Sequence, residues 1–174
     1  MPEEKGDRGE GELLQQYRKR LQAESSDGLK LVKSPDDNPI CSISLDESIP
    51  ALVVVWKQYA TSTQLRFIHE HLLQLLKKHN VQKILGDDTH FVTIHSEDQT
   101  WITEDWMPRA IAAGLRVGAS KNAVSYFGKM SISVVVSLAP KPLVIRNFDD
   151  LSEAREWLKA APTTPPDNEN EAGK

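Results

Sequence analysis

Cysteine occurs once in this chain of 174 residues, at Cys41, so an intrachain disulfide and a cysteine-based zinc knuckle are both excluded. A reducing cytoplasm is the expected setting. No apolar run approaches the roughly 18 residues that a spanning helix needs. No charged leader followed by an apolar stretch opens the chain, so neither an integral membrane segment nor export is expected. Basic charge is neither in excess nor concentrated. The 21 lysines and arginines are scattered among 25 acids, for a net charge of -4, which leaves no basic face for phosphate contact and no expectation of a nucleic-acid partner. No glycine-rich phosphate loop follows a strand-like run, and the HExxH arrangement of many zinc hydrolases is missing.

What is present suits one folded domain with polar ends, at 39% hydrophobic and 26% charged residues. The opening MPEEKGDRGEGE and the closing TTPPDNENEAGK are too polar to offset the entropy of ordering them. Between the first of these and the turn cluster SPDDNP, Leu14, Tyr17 and Leu21 fall at helical spacing. Residues 1–38 are therefore expected to form a flexible segment with a short amphipathic helix, 39–160 an α/β domain, and 161–174 a disordered tail.

Within the domain, ICSISLDE alternates like a half-buried strand and ALVVVW reads as a strand buried on both faces, the two forming an antiparallel pair. STQLRFIHEHLLQLLKKHN sets Leu65, Ile68, Leu72, Leu75 and Leu76 on one helical stripe. Ser62 or Thr63 is available as its cap, Lys77 and Lys78 suit its negative end, and His69 and His71 fall on its polar side as solvated surface. VQKILGDD is a short strand. SEDQ has the form of a capping box, so a helix is predicted from Glu97, with a kink or break between Glu104 and Met107 imposed by Pro108 and a close at Gly114. LRVGAS is a strand. NAVSYFGKMSISVVVSLA has a helix's length and a strand's valines, and the alternation around it favours helix. PLVIRNF is the last strand, and Asp149 or Asp150 caps LSEAREWLKA, whose apolar face is Leu151, Ala154, Trp157 and Leu158. The sum is an α/β fold: a mixed, mostly parallel sheet of about five strands with an antiparallel edge, flanked by about four helices.

The candidate chemistry lies in LGDDTHFVTIHSEDQTWITEDW, residues 85–106. Asp87, Asp88, His90 and His95 are of the types that ligate Zn²⁺ or Mn²⁺, which makes a metal-assisted hydrolase one alternative. Their spacing matches no established ligand pattern, and the other reading is a solvated loop. Ser96 is either an N-cap worth about 1 kcal/mol or a modifiable serine at a positive helix end. Trp101 and Trp106 stand five positions apart, about 500° around an ideal α-helix, so they share a face only if the chain near Pro108 is rotated. With Met107 they either pack in the core or line an apolar pocket for a small ligand or lipid. Cys41 reads as a small buried residue of a strand, and Trp56 and Trp157 as packing residues.

The element order, together with WITEDWMPRAIAAGL and NFDDLSEAREWL, resembles the STAS-like proteins related to the sporulation anti-anti-sigma factor, the SpoIIAA-like group, over residues 40–160. The resemblance implies a bacterial, non-catalytic regulatory or protein-interaction module, without a cofactor and with a regulatory protein as partner. It also implies a phosphoacceptor serine in a D-x7-D-S-x-G pattern. Counted from Asp87, Ser96 keeps the serine's place, whereas His95 replaces the second aspartate and Asp98 the glycine. A small-ligand or lipid-binding protein with a pocket beside the Trp101 and Trp106 helix remains the alternative.

Overall fold

The β-branched run Ala51–Trp56 sits inside the sheet, as its apolarity requires, with neighbours on both sides. The computed structural model describes residues 15, 30–33 and 38–163, and their elements run β1 Lys30–Lys33, β2 Pro39–Asp46, β3 Ala51–Trp56, α1 Ser62–His79 and β4 Lys83–Asp87. There follow α2 Ser96–Trp101, a π turn Ile102–Trp106, α3 Met107–Ala112, β5 Val117–Lys121, α4 Tyr126–Ser137, β6 Val144–Phe148 and α5 Leu151–Ala160. The amphipathic helix around Leu14, Tyr17 and Leu21 and the predicted disorder of both ends fall outside the described residues.

The strands lie side by side in chain order, β1 to β6; β1, β2 and β3 pair antiparallel, and β3 to β6 pair parallel. Five of the strands are those the alternation predicts, and β1 lengthens the antiparallel edge from within the segment expected to be flexible. Because the parallel strands follow one another without reversal, crossovers of one hand deliver α1, the α2–α3 helix and α4 to the same face. The buried side chains divide accordingly. Leu65, Ile68 and Leu76 of α1, Ile102, Trp106 and Met107, and Val135 of α4 share one cluster with Leu52, Val54 and Trp56 of β3. On the opposite face Ala154 and Leu158 of α5 cover Ala51, Leu85, Val117 and Ala119.

Local chemistry fixes the helix ends. Thr61, rather than Ser62 or Thr63, caps α1: its hydroxyl accepts from the Gln64 amide at 3.3 Å while the Gln64 side chain accepts from the Thr61 amide at 2.9 Å. Asn80 closes the same helix in the left-handed conformation, and Gly114, at φ 112°, closes α3. The valine-rich segment is helical, with Ser125 accepting from the Gly128 amide at its start. Asp150 caps α5, whose last carbonyls, Leu158 and Lys159, accept from Lys83 Nζ at 2.6 and 3.2 Å. No helix among the described residues is long and apolar enough to cross a membrane.

Candidate functional site

β4 ends at Asp87 and hands the chain to the loop that carries the candidate residues. That loop is laced to the start of α4. Val124 donates to the Thr89 carbonyl at 3.2 Å, the Ile94 amide donates to Ser131 Oγ at 3.1 Å, and Ser125 Oγ donates to the Val92 carbonyl at 3.2 Å. Phe91 is buried edge-on against Trp56, with ring centroids 4.9 Å apart.

The four metal-ligand candidates part company here. Asp87 accepts from Thr89 Oγ1 at 2.5 Å and from its amide at 3.1 Å, His95 Nε2 lies 3.1 Å from the Tyr59 hydroxyl, and His90 is exposed. Asp88 corrects the solvated-loop expectation, since its side chain turns inward and is only 8% exposed. Among the described residues no cluster of three or more His, Cys, Asp or Glu is placed to hold a metal ion.

The helix begins one residue earlier than predicted, at Ser96, with His95 in the cap position and no side-chain cap bond. The capping box does not form, because Gln99 Nε2 reaches past Ser96 to the Ile94 carbonyl at 2.9 Å. Ser96 is exposed. Asp98, which the resemblance places near a phosphoacceptor, is 2% exposed and accepts from Ser62 Oγ at 2.5 Å and from Arg66 Nε at 2.8 Å. Arg66 in turn lies over the Trp101 ring, 5.2 Å from its centroid. Asp98 therefore joins the starts of two helices.

Pro108 has no amide hydrogen to donate, and the chain answers with a π turn rather than a kink: the Met107 amide donates to the Ile102 carbonyl, five residues back. Five-residue ladder bonds bring position 106 back over position 101, so the two tryptophans share a side after all. Both meet His69 edge-on, at 6.0 Å for Trp101 and 4.8 Å for Trp106, and Trp106 Nε1 donates to the His69 carbonyl at 2.6 Å. His69 thus departs from the solvated role predicted for it, and His71 is half-buried. Arg109 completes the clamp with paired bonds to Glu70 at 3.0 and 2.5 Å.

Between these helices and the sheet lies a cavity of about 170 Å³. Its floor is bare because Gly86 and Gly118 occupy adjacent strands where side chains would otherwise stand; Gly86 pairs with Ser120, and Gly118 with Ile84. Its walls include Trp56, Phe91, Ile102, Trp106, Met107 and Val135, and its polar side chains are Asp88, Ser120 and His69. Trp101, expected beside Trp106, packs outside this lining.

Burial dominates the electrostatics. It pushes the Asp88 carboxyl up to about 7, assisted by the charge of Asp87 and opposed by a hydrogen bond with Ser120. It pushes His69 down to about 4, against the Leu65 carbonyl and the charges of Glu70 and Asp98, so the imidazole is neutral. The Cys41 thiol is raised to about 12, first by burial and then by Asp88. His69 stands apart from the hydrogen-bonded pair of Asp88 and Ser120. His69 Nδ1 is 2.9 Å from the Leu65 carbonyl and not from a carboxylate, and Ser120 Oγ, hydrogen-bonded with Asp88, lies 3.1 Å from Asn147 Oδ1.

Sequence reasoning missed Asp98, His69 and the two floor glycines. Gly86 and Gly118 carried a usable signal, since glycine inside a strand run marks a missing side chain or a close approach. Fold and site together define an α/β protein with an apolar, singly acidic cavity under a π-bulged helix. No protein-family model matches the chain, and no curated protein matches it.

Proposed function

We propose that this protein is a non-catalytic binding module that takes up a small, mostly apolar molecule between its sheet and the Trp106 helix. The cavity carries this reading: about 170 Å³, walled by aromatic and aliphatic side chains and holding a few polar groups at its floor and side. An apolar cavity of about 150 Å³ is enough to hold a benzene molecule. The commitment of His69 Nδ1 to the Leu65 carbonyl, rather than to Asp88 or Ser120, favours binding over turnover. Native mass spectrometry of the full chain with single-ring compounds tests the reading, through a saturable mass increment and a matching rise in Tm; no increment with any of them would remove it.

A second reading, the regulatory interaction role implied by the STAS-like resemblance, is favoured by one surface. Tyr126, Met130, Val134 and Leu138 follow one another at four-residue spacing along the outside of α4 and are exposed, with Phe127 beside them at 70% exposure. The inner side of the same helix lines the cavity through Ile132, Val135 and Val136, so a filled cavity and a docked regulatory protein would act on opposite sides of one element.

A further inference from the structure

Each polar side chain in the cavity offers a lone pair. Ser120 Oγ has its one hydrogen engaged between Asp88 and Asn147 Oδ1, the latter at 3.1 Å, and keeps its own oxygen lone pairs. His69 spends its Nδ1 hydrogen on the Leu65 carbonyl at 2.9 Å, which makes Nε2 an acceptor in a neutral ring. Asp88 is an acceptor when ionised, and Ser120 is the side chain hydrogen-bonded with it. The Trp106 N–H, which could have served as a donor, is committed to the His69 carbonyl at 2.6 Å. The indole N–H of Trp56 is neutral and cannot offset the desolvation of an anion beside an acid.

A ligand with an anionic head would enter without charge-compensating donors, next to a carboxyl. A ligand with an N–H group would find acceptors at the floor and apolar walls around the rest of it. The walls favour a flat ring: Trp56, Phe91, Trp106 and His69 present edges and faces to the cavity, and aromatic side chains pack best edge-on or offset against another ring. The volume limits the ligand to one ring with a short substituent. The carboxyl lies over the bare floor, since a Cβ built on Gly86 would come within 3.3 Å of Asp88 Oδ1.

We propose that the cavity selects a single-ring arylalkyl amine, with the ring between the sheet and the Trp106 helix and the amino group donating to the Asp88 carboxyl. This rests on the binding reading above and narrows it to a chemical class. Fatty acids, aromatic acids and phosphate esters are disfavoured by the same inventory of acceptors.

Three single-ring probes that differ in their substituent test it by calorimetric titration of the full chain: benzylamine, toluene and benzoate. Benzylamine is expected to bind at least tenfold more tightly than toluene, and benzoate more weakly than either. In Asp88→Asn the benzylamine advantage should disappear while toluene binding persists, which also reports that the variant is folded. Equal binding of benzylamine and toluene by the wild-type protein would overturn the amine assignment and leave the cavity reading standing. So would benzoate binding most tightly, or Asp88→Asn keeping the full benzylamine preference. If none of the three binds, both the assignment and the cavity reading fall. Should Asp88→Asn not fold, Ser120→Ala serves in its place, with a smaller loss for benzylamine than for Asp88→Asn and none for toluene; an unchanged benzylamine preference there would count against the assignment.

Discussion

Gly86 and Gly118 stand on the same face of neighbouring strands, yet alanine should have opposite effects at the two sites. A Cβ at Gly118 would meet Ile145 Cγ1 at 3.5 Å and Cγ2 at 3.6 Å, which is ordinary packing distance. The added methyl would occupy cavity space and contribute about 0.8 kcal/mol of burial. Restricting the unfolded chain adds about 0.4–1 kcal/mol, so Gly118→Ala is expected to stabilise by about 1.5 kcal/mol. A Cβ at Gly86 would meet Ser120 Cβ at 3.0 Å and Asp88 Oδ1 at 3.3 Å, and the first of these belongs to a paired strand that cannot withdraw freely. Overpacking costs about 1–3 kcal/mol, and at about 2–2.5 kcal/mol for a contact this close it outweighs the gain and leaves Gly86→Ala destabilised by about 0.5–1 kcal/mol. Urea unfolding followed by tryptophan fluorescence should show the two midpoints moving apart with unchanged m-values. If both midpoints move the same way by similar amounts, the floor of the cavity is not as described. The same Gly118→Ala protein should bind single-ring compounds more weakly, because the space they need is partly filled.

Stability against pH should show two opposed contributions. Asp88, raised in the folded protein from 3.8 to about 7, contributes stability that is full below about pH 4 and lost as pH rises to about 7. His69, lowered from 6.5 to about 4, contributes stability that is full above about pH 6.5 and lost as pH falls to about 4. Asp88→Asn should therefore unmask a rise in stability between about pH 4 and 6.5 in denaturant midpoints; a slope no different from wild type would contradict the burial of Asp88, and a flat profile in the variant would contradict that of His69. Ser96→Ala should change stability by less than about 0.5 kcal/mol, since the hydroxyl makes no cap bond, whereas Thr61→Ala should cost about 1 kcal/mol; equal losses would restore the capping box predicted at SEDQ. Trp106→Phe removes the 2.6 Å bond to the His69 carbonyl and part of the ring, for an expected loss of about 2 kcal/mol in thermal or urea unfolding. A loss under about 0.5 kcal/mol would mean that the bond and the packing at His69 carry no weight.

The architecture was legible because each element carries its own periodicity: the Leu65 to Leu76 stripe, the Ala51–Trp56 run and the Asp150 cap all sit where pattern and local chemistry place them. Alternation with neighbouring strands also resolved the valine-rich segment, whose inner valines face the cavity and whose outer tyrosine, methionine and valine face outward. The site was less legible, for reasons that lie in long-range geometry. Asp98 looks like an ordinary first-turn acid until Ser62 and Arg66, more than thirty residues earlier, are brought beside it. His69 lies on the polar side of α1 by helical spacing, and only the arrival of Trp101 and Trp106 encloses it. Pro108 announced an interruption but not its form, because a kink and a π turn dispose of the same missing donor.

The π turn has a consequence for the length of the chain. A ladder bond that spans five residues encloses one more than an α-helical bond does. The segment Ile102–Trp106 therefore holds one residue more than a regular helix would use. On the near side of it Asp98 grips Ser62 and Arg66, and on the far side Trp106 and Arg109 grip His69 and Glu70, all on α1. The π turn absorbs the surplus residue, so that two anchor points keep a common side toward one partner helix. Deleting the exposed Glu104 would put Trp106 four positions after Trp101, about 400° around an α-helix, so that a regular helix would still present both anchors to α1.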